Sequence, residues 1–474
     1  MTQSRPGNLA AALVSRAATD PDLRLGVIGD DVRLADALGI AAGRARRLLD
    51  SGIAPGDRIA LVAPTTTDYL LTWLACLLAG TPVALVNPTY PDDLTRDMLA
   101  PLAPARVIDA DEIAQVRSAA TASTEGLPGL QAGALDTASF MHTSGTTGLP
   151  KFCAQSHEYF LRLGDVMAEA LEVGPGDRVL APLPMFHINP LGYGIVTALL
   201  AGADAFTVER FSASGFWPAV VGEQITVLVL HAPPAEILKR ATTSADAAGH
   251  RVKSMFFADG EFLDTFGIDR AVTAYGSTEA GGVSHLRRWR RGETIPPDAS
   301  RHGGQQRADV QWRLGADDVI HVREREPGTL FSGYVTADGL ASSRDAEGWF
   351  DTGDLGRIDA DGGLVFLERR SESIRVKGEF VPIPFVENHL FGVDGVDDCA
   401  IWKRRGELVD EEVVAYVVAP PLAADALRDH LVDLPAFMRP VAVARVETLP
   451  RDAAAGKVQR RRLAETSVLE WIEL

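Results

Sequence analysis

The sequence predicts an α/β fold: a large N-terminal domain with parallel sheets layered by helices, and a small α+β C-terminal domain. In the N-terminal part, short apolar strand patterns alternate with helical patterns, which is the order typical of parallel sheets covered by helices. The C-terminal part contains a strand pattern followed by a single helical pattern. The chain has 474 residues, enough for a large core and more than one domain.

The first predicted elements form one βαβ unit. Apolar residues recur at helical spacing along one face of residues 34–49, and a Ser-Gly pair ends this predicted helix. Residues 59–62 and 82–86 are short apolar runs that predict buried strands, and residues 68–78 predict an apolar helix between them. Strand, helix and strand in this order predict a parallel pair. Residues 118–136 are rich in small and polar residues and predict a loose connection.

The same patterns continue along the chain. A helix is predicted at residues 156–172 and strands at residues 179–181 and 225–230, the second of them rich in β-branched residues. Near the C-terminus, residues 413–418 predict a strand and residues 423–432 a helix. This last pair supports a compact α+β domain at the end of the chain.

Charge and cysteine content exclude several classes of function. The net charge is -18, which disfavours nucleic acid and anionic membranes as partners. The three cysteines, Cys76, Cys153 and Cys399, are scattered, so we expect no disulfide framework and a reducing, cytoplasmic location. Residues 1–22 lack the pattern of a signal peptide, and the apolar run at 69–80 is too short to span a bilayer.

The residues richest in chemistry lie in one short run, Thr-Ser-Gly-Thr-Thr-Gly-Leu-Pro-Lys at positions 143–151. Glycines let backbone N–H groups approach an anion, hydroxyls add donors, and the final lysine adds positive charge. The run therefore predicts a phosphate-binding loop, although its spacing differs from the Walker pattern; a plain turn is the alternative. The candidate phosphate-binding residues are Thr143, Ser144, Gly145, Thr146, Thr147, Gly148 and Lys151.

This run resembles the phosphate-binding loop of the ANL superfamily of AMP-forming adenylating enzymes, which includes acyl-CoA synthetases, nonribosomal adenylation domains and luciferases. Residues 184–188 and 211–217 look most like the carnitine- and crotonobetaine-CoA ligase subgroup. The resemblance implies an N-terminal domain, residues 1–370, that binds ATP and an acid. It also implies a mobile C-terminal lid domain, residues 371–474.

A second signature, Ala-Tyr-Gly-Ser-Thr-Glu at positions 274–279, resembles the aromatic-Gly-x-Thr-Glu motif of the superfamily. The resemblance assigns Tyr275 to stacking on adenine, Thr278 to the α-phosphate and Glu279 to Mg²⁺. These residue types suit those tasks, because an aromatic face binds a base and a carboxylate is a hard oxygen ligand. A capped helix start is the alternative.

Two further stretches resemble the ribose-binding and hinge motifs. Asp354 matches the aspartate that accepts hydrogen bonds from both ribose hydroxyls, and Arg369 matches the ribose-contacting arginine. Lys377 and Gly378 match the glycine loop of the thiol tunnel. The chain departs from the family pattern at Glu368, where a glycine is usual, and at the hinge residue Ser371, where Asp or Lys is common.

The last signature lies near the C-terminus and resembles the Pro-Arg…Gly-Lys-x-x-Arg motif. It makes Lys457 the catalytic lysine, alongside Thr278 and Glu279 as the other candidate catalytic residues. One extra residue separates Arg451 from Gly456. A solvated basic tail is the alternative.

Residues from several predicted strand ends form a candidate acid pocket. A lone histidine such as His187 is usually part of a core, but the resemblance places its segment in the pocket wall. Asp259 stands where many family members have small apolar residues, so we expect it to face solvent. The alternative is that Asp259 or His231 contacts an amine or hydroxyl of the substrate. The basic run 286–291 is either a solvated face or a contact for a phosphopantetheine donor or carrier protein. The candidate pocket residues are Phe186, His187, His231, Asp259, Gly260, Ala274 and Gly281.

The resemblance implies ATP-dependent, AMP-forming adenylation of a small acid, with aromatic and amine-bearing acids among the options. Pyrophosphate is released, and coenzyme A is the leading acceptor of the acyl group. ATP, Mg²⁺ and coenzyme A are therefore the expected cofactors and co-substrate. Three alternatives remain open: a diazotase that activates nitrite for an aromatic amine, a freestanding enzyme that loads a carrier protein, and a non-enzymatic nucleotide-binding regulator. A homodimer is also an open option.

Overall fold

The computed structural model describes residues 7–90, 92–114, 120–143, 151–257, 259–370, 374–376, 379–381, 383–404, 411–452 and 456–474. The chain divides into two compact units. The N-terminal unit comprises Met1–Gly315, His321–Thr352 and Ile358–Val365, and the C-terminal unit comprises Ala316–Ile320, Gly353–Arg357 and Phe366–Leu474. The domain boundary between residues 370 and 371 stays a prediction.

Helices and strands alternate along most of the described chain. The α-helices are α1 (Leu9–Thr19), α2 (Leu34–Asp50), α3 (Thr67–Ala79), α4 (Asp92–Leu99), α5 (Ala110–Ala114), α6 (His157–Leu171), α7 (Thr197–Ala201), α8 (Ala213–Gly222), α9 (Ala232–Ala241), α10 (Gly260–Phe266), α11 (Ile383–Leu390) and α12 (Ala424–Leu431). Shorter 3-10 segments lie at Pro128–Gln131, Ala299–Arg301, Ala316–Asp318, Ala436–Met438 and Arg460–Glu465, and a π-helix lies at Asn189–Val196.

The strands of the described residues are β1 (Arg24–Val27), β2 (Val32–Arg33), β3 (Ile59–Val62), β4 (Val83–Val86), β5 (Arg106–Asp109), β6 (Thr137–His142), β7 (Phe152–Ser156), β8 (Arg178–Leu180), β9 (Asp204–Thr207), β10 (Val227–Val229), β11 (Ser254–Phe256), β12 (Arg270–Tyr275), β13 (His285–Arg290), β14 (His302–Gln306), β15 (Val310–Leu314), β16 (Val319–Glu324), β17 (Gly333–Thr336), β18 (Gly339–Ala341), β19 (Phe350–Ile358), β20 (Leu364–Arg369), β21 (Ile374–Val376), β22 (Glu379–Val381), β23 (Asp398–Arg404), β24 (Glu412–Val418), β25 (Ala442–Val446) and β26 (Val468–Glu473).

Two sheets of the N-terminal unit carry the candidate site. In the first, the strand order is β18-β17-β7-β6-β4-β3-β5, with β3 and β4 parallel and Ile59 opposite Val83. The predicted βαβ unit is therefore confirmed. In the second sheet, β9, β8, β10, β11 and β12 are parallel neighbours in that order. Their carboxyl ends meet at one edge, where ligands of open α/β sheets usually bind.

Helix α3 shows how local sequence and packing agree. The Thr66 hydroxyl accepts a hydrogen bond from the Tyr69 N–H at 3.0 Å and caps the helix start, and Gly80 ends the helix with a φ of 72°. Arg44 of α2, only 4% exposed, donates to Asp68 at 3.0 Å. This ion pair joins α2 to α3. No helix in the described ranges is long and apolar enough to cross a membrane.

The basic run 286–291 agrees with the predicted solvated face at most of its arginines and departs from it at Trp289. It largely coincides with β13, which is antiparallel to β12, and Trp289 within it is only 3% exposed. The guanidinium of Arg287 lies 4.3 Å from the centre of the Trp289 ring and bonds to Asp359 at 3.2 Å. The strand buries Trp289, whereas Arg288, Arg290 and Arg291 stay exposed, and ion pairs to Asp359, Glu169 and Asp269 offset three of the four arginine charges.

The C-terminal unit contains a four-stranded sheet in the order β23-β24-β25-β26. Helices α11 and α12 pack on one face of it, with Val386 and Leu427 in the shared core. The predicted strand and helix in this region are confirmed as β24 and α12. The predicted strand at 225–230 is confirmed only at its centre, as β10.

Candidate active site

The two ends of the predicted phosphate loop lie side by side. Strands β6 and β7 are antiparallel, and the Thr143 N–H donates to the Lys151 carbonyl oxygen at 3.0 Å. Lys151 is exposed and Thr143 is half-buried. The candidates Ser144, Gly145, Thr146, Thr147 and Gly148 lie outside the described residues.

One tyrosine connects this loop to the predicted metal-binding carboxylate. The Tyr334 hydroxyl donates to Oε1 of Glu279 at 3.0 Å, and Nζ of Lys151 lies 5.6 Å from the centre of the Tyr334 ring. The Phe331 N–H also donates to the Glu279 carbonyl oxygen at 3.1 Å. Sequence reasoning did not single out Tyr334, because its place beside Glu279 depends on strand pairing between distant segments.

The thiol of Cys153 borders the same carboxylate. Burial raises the pKa of Cys153 well above its ordinary value, and the negative charge and hydrogen bonding of Glu279 raise it further. The thiol therefore stays protonated and unreactive near neutral pH. The positive charge of Lys151 lowers the same pKa. A cation and an anion therefore both act on one buried thiol.

The predicted adenine-binding segment is a tight turn after β12. Tyr275 is only 7% exposed. A Cβ at Gly276 would lie 2.1 Å from the Gly282 carbonyl oxygen, so only glycine allows this approach of two backbones. The Tyr159 hydroxyl donates to the Thr278 carbonyl oxygen at 3.0 Å. The segment at Thr278 is a turn and not the start of a helix, so that alternative is wrong.

A neutral histidine lies next to Tyr275. His285 is fully buried, its ring centre is 6.0 Å from that of Tyr275, and its Nδ1 bonds to the Ser284 hydroxyl at 3.0 Å. Burial lowers the pKa of His285 to about 3. The imidazole therefore packs beside the candidate adenine platform without adding charge.

The predicted acid-pocket segment forms an aromatic cluster around His142. The ring centre of His142 is 5.8 Å from Phe186, nearly parallel to it, and 5.9 Å from His187. Tyr90 lies 5.5 Å from His142 on another side. His142 was not among the sequence candidates, although its position directly before the phosphate loop was a usable signal. The cluster joins the predicted acid segment to the predicted phosphate loop.

The other pocket candidates lie on three further segments. His231 is exposed at the start of α9, and Ala274 is half-buried on β12. Gly281 has a φ of +75°, and a Cβ there would lie 2.6 Å from the Thr329 carbonyl oxygen. The Gly281 carbonyl oxygen accepts from Nη1 of Arg307 at 3.0 Å. The Arg307 side chain therefore fixes the backbone of this turn.

Asp259 is occupied by protein partners. One oxygen caps α10 by accepting from the Phe262 N–H at 2.9 Å, and the other accepts from Nζ of Lys239 at 2.9 Å. Burial alone would lower the pKa of Lys239, but hydrogen bonds to Glu236 and Asp259 raise it overall. Gly260 begins α10. These contacts explain how a carboxylate is tolerated where apolar residues were expected.

The two predicted ribose-binding residues contact each other. Nε of Arg369 donates to Oδ1 of Asp354 at 2.8 Å, and Nη2 donates to Oδ2 at 3.4 Å. Both belong to the C-terminal unit, and Asp354 is only 3% exposed. Asp354 lies within β19. A carboxylate already oriented by an arginine retains lone pairs for further donors.

Lys457 lies in a compact turn with an exposed side chain. Its carbonyl oxygen accepts from the Asp452 N–H at 2.8 Å, and Gly456 before it has a φ of +64°. Nη1 of Arg451 donates to the Gly456 carbonyl oxygen at 2.8 Å, and Nη2 bonds to Asp398 at 2.6 Å. The backbone around the predicted catalytic lysine is thus well anchored. Ser371, Lys377 and Gly378 lie outside the described residues.

Comparisons with known proteins agree with this geometry. The profile of the family described as "AMP-binding enzyme" matches residues 40–333. The chain belongs to this family, which is part of the ANL superfamily, and the resemblance found in the sequence is confirmed. It is an enzyme of the AMP-forming ligase class, similar to acyl-CoA synthetases.

Named relatives of this AMP-binding enzyme are coenzyme A ligases. It is 27% identical over 479 residues to the 3-[(3aS,4S,7aS)-7a-methyl-1,5-dioxo-octahydro-1H-inden-4-yl]propanoyl:CoA ligase of Mycobacterium tuberculosis, over 89% of this chain and 91% of that protein. It is 29% identical over 303 residues to the crotonobetaine/carnitine–CoA ligase of Shigella sonnei, over 60% of this chain and 57% of that protein. The solved o-succinylbenzoate CoA synthetase of Bacillus subtilis has a TM-score of 0.84 at 22% identity, over 98% of this chain and 99% of that one. The predicted fold class is confirmed.

Proposed function

We propose that this enzyme couples ATP cleavage to the adenylation of a small acid and then transfers the acyl group to coenzyme A. The observation that carries the proposal is the group formed by Lys151, Tyr334 and Glu279, in which one tyrosine contacts both a cation at the end of the phosphate loop and a carboxylate. Relatives named as coenzyme A ligases, matched over about nine-tenths of both chains, support the acceptor.

The N-terminal unit would bind the phosphates and the adenine of ATP. Thr143 and Lys151, with the loop between them, would bind the phosphates that leave as pyrophosphate. Tyr275 would stack on adenine, and the Thr278 hydroxyl would donate to the α-phosphate. A turn whose backbone is fixed by glycine and by the Tyr159 hydroxyl is suited to present these side chains with little loss of entropy.

The residues present fit Mg²⁺. Glu279 offers one hard carboxylate, and Mg²⁺ in phosphate sites is usually held by one or two carboxylates together with substrate phosphates. Within the described residues, no group of three or more His, Cys, Asp or Glu side chains could form an all-protein metal site. Mg²⁺ bound at Glu279 would neutralise the phosphate charge.

The proposed chemistry has two steps. An oxygen of the acid attacks the α-phosphorus of ATP, and the bond from that phosphorus to pyrophosphate breaks. The thiol of coenzyme A then loses its proton and attacks the acyl carbon, and AMP leaves. Lys457 would place its ammonium group on the oxygens that gain charge in the first step. Asp354, oriented by Arg369, would accept the ribose hydroxyls.

The cluster of His142, Phe186 and His187 supports a preference for flat acids. His142 and Phe186 are almost fully buried, and His187 is the half-buried member whose ring can stack on a planar ligand. The two imidazoles also provide polar nitrogens. We therefore include benzoic, cinnamic and aminobenzoic acids in the first substrate panel beside short aliphatic acids.

The proposal is tested by AMP release from ATP over this panel, with and without coenzyme A, and with product masses recorded. An acid-dependent signal that yields an acyl-CoA mass is expected. Acyl transfer only to an added carrier protein would replace coenzyme A as the acceptor. Product formation that requires nitrite and an aromatic amine would establish the diazotase alternative, which the coenzyme A ligases named above do not support. The absence of AMP release and of ATP–pyrophosphate exchange with every acid would refute the proposal.

A further inference from the structure

Tyr334 makes two contacts that no sequence motif predicted. Its hydroxyl donates to Oε1 of Glu279 at 3.0 Å, and its ring lies 5.6 Å from the Lys151 ammonium. The second distance is within the range in which an aromatic face attracts a cation. One half-buried side chain therefore contacts the anion and the cation that are proposed to hold magnesium and phosphate.

The position of Tyr334 is set by pairing on both sides of its strand. In β17, Tyr334 lies opposite Cys153 of β7 and opposite Ala341 of β18. Gly333 before it has a φ of +153°, and a Cβ there would lie 2.7 Å from the Ala341 carbonyl oxygen. The strand is therefore closely packed against β18, and the phenol starts from a fixed backbone.

Glu279 lies in a turn, where a free side chain could adopt several rotamers. Its carbonyl oxygen accepts from the Phe331 N–H at 3.1 Å, and its side chain accepts from Tyr334 three residues further on. The segment of Phe331 and Tyr334 thus holds Glu279 by both backbone and side chain.

We propose that Tyr334 is a positioning residue that aligns Glu279 for magnesium and keeps the Lys151 ammonium at the end of the phosphate loop. This inference rests on the proposed function. The hydroxyl donates to one oxygen of Glu279 and so fixes the orientation of the carboxylate. The ring acts separately, because it attracts Lys151 whether or not the hydroxyl is present.

Two substitutions separate these actions. Tyr334→Phe keeps the ring and removes only the hydroxyl, whereas Tyr334→Leu removes both. ATP binding is measured by calorimetry without acid, once with excess Mg²⁺ and once with excess EDTA. For Tyr334→Phe we expect about tenfold weaker binding with Mg²⁺, the size of a lost hydrogen bond to a charged group, and unchanged binding in EDTA. For Tyr334→Leu we expect weaker binding in both conditions.

Tyr193→Phe is the matched control. It removes another phenol hydroxyl, one that donates to the Gly282 carbonyl oxygen at 2.9 Å, and it should leave the ratio of the two ATP affinities unchanged. The single variant Glu279→Gln and the double variant that also carries Tyr334→Phe should bind ATP equally tightly in Mg²⁺. The reason is that the Tyr334 hydroxyl acts through the Glu279 carboxylate, which both variants lack. Thermal melting of each variant without ligand separates lost stability from lost binding.

The outcomes distinguish this inference from the proposed function. If the wild-type enzyme does not bind ATP, the proposed function and the inference fail together. If the wild type binds ATP more tightly with Mg²⁺ and Tyr334→Phe retains the full Mg²⁺ effect, the positioning role is wrong while the proposed function stands. Equal weakening of Tyr334→Phe in Mg²⁺ and in EDTA would also overturn the role, because it would indicate a merely structural contact.

Discussion

The ion pair between Arg460 and Glu387 allows a quantitative test of how the segment around Lys457 is anchored. Nη2 of Arg460 lies 2.8 and 2.9 Å from the two Glu387 oxygens, and the Ile401 N–H donates to Oε1 at 2.9 Å. The two side chains are only 16% and 12% exposed. Replacing Arg460 with methionine keeps much of the side-chain volume but leaves Glu387 with a buried charge.

The expected cost follows from this burial. Removing one partner of a fully buried ion pair typically costs about 3–5 kcal/mol, whereas an exposed pair contributes only about 0.2–1 kcal/mol. Arg460 and Glu387 are closer to the buried case, but water still reaches part of each side chain and Ile401 still donates a hydrogen bond. We therefore expect Arg460→Met to destabilise the C-terminal unit by roughly 2–3 kcal/mol, which corresponds to a roughly 30- to 150-fold larger opening constant.

Amide hydrogen exchange of β23 and β24 measures this cost locally, without assuming that the whole chain unfolds in one step. Arg404→Met is the matched control, because Arg404 pairs with Glu412 at 2.9 Å on the same two strands and its side chain is 40% exposed. The double variant of Arg460→Met and Glu387→Met should recover most of the lost protection. If Arg460→Met reduced protection no more than Arg404→Met does, the result would refute the reasoning. A double variant that lost as much stability as the two single variants together would also refute it.

Three other predictions test different parts of the enzyme. Lys457→Ala should lower ATP–pyrophosphate exchange by about 10²–10³-fold with unchanged melting; wild-type exchange would contradict its assignment. Asp354→Asn should weaken AMP binding by about tenfold, because Arg369 loses its partner and ribose loses an acceptor; 2′,3′-dideoxy-AMP should bind wild type and variant equally. Burial lowers the pKa of His285 from 6.5 to about 3, so the unfolded chain binds more protons between these values and stability falls as pH falls through that window, by up to about 1.4 kcal/mol per unit. His285→Gln should flatten this dependence in urea titrations at pH 7 and pH 5.

The sequence was sufficient where structure depends on neighbours along the chain. The predicted strand at residues 59–62 has the bounds of β3. The predicted helix at 34–49 is one residue shorter than α2 at its C-terminal end, and the predicted helix at 68–78 is one residue shorter than α3 at each end. Periodicity, caps and turn residues act within a few positions of each other, so they are visible in one dimension. The order of the short motifs was sufficient to identify the family, because each motif is also a run of neighbouring residues.

The sequence was insufficient where a side chain meets a partner from a distant segment. Tyr334 reaches Glu279 because β17 adds to β7, and nothing near Tyr334 in the chain indicates that pairing. The sequence did not decide whether Asp259 faces solvent or binds substrate. Its partner in the structure, Lys239, comes from another helix. In both cases the missing information was the register of tertiary contacts and not the chemistry of the residue.

The distribution of charged groups over the two units suggests that binding and chemistry can be separated by mutation. The groups proposed to hold the triphosphate and magnesium, Lys151 and Glu279, belong to the N-terminal unit, whereas Lys457 belongs to the C-terminal unit. Loss of Tyr334 should therefore appear first in ATP affinity, and loss of Lys457 first in the rate of adenylation. An interaction made only in the transition state lowers the rate without lowering substrate affinity. If Lys457→Ala weakened ATP binding as strongly as Tyr334→Leu, the lysine would instead be a ground-state contact of ATP.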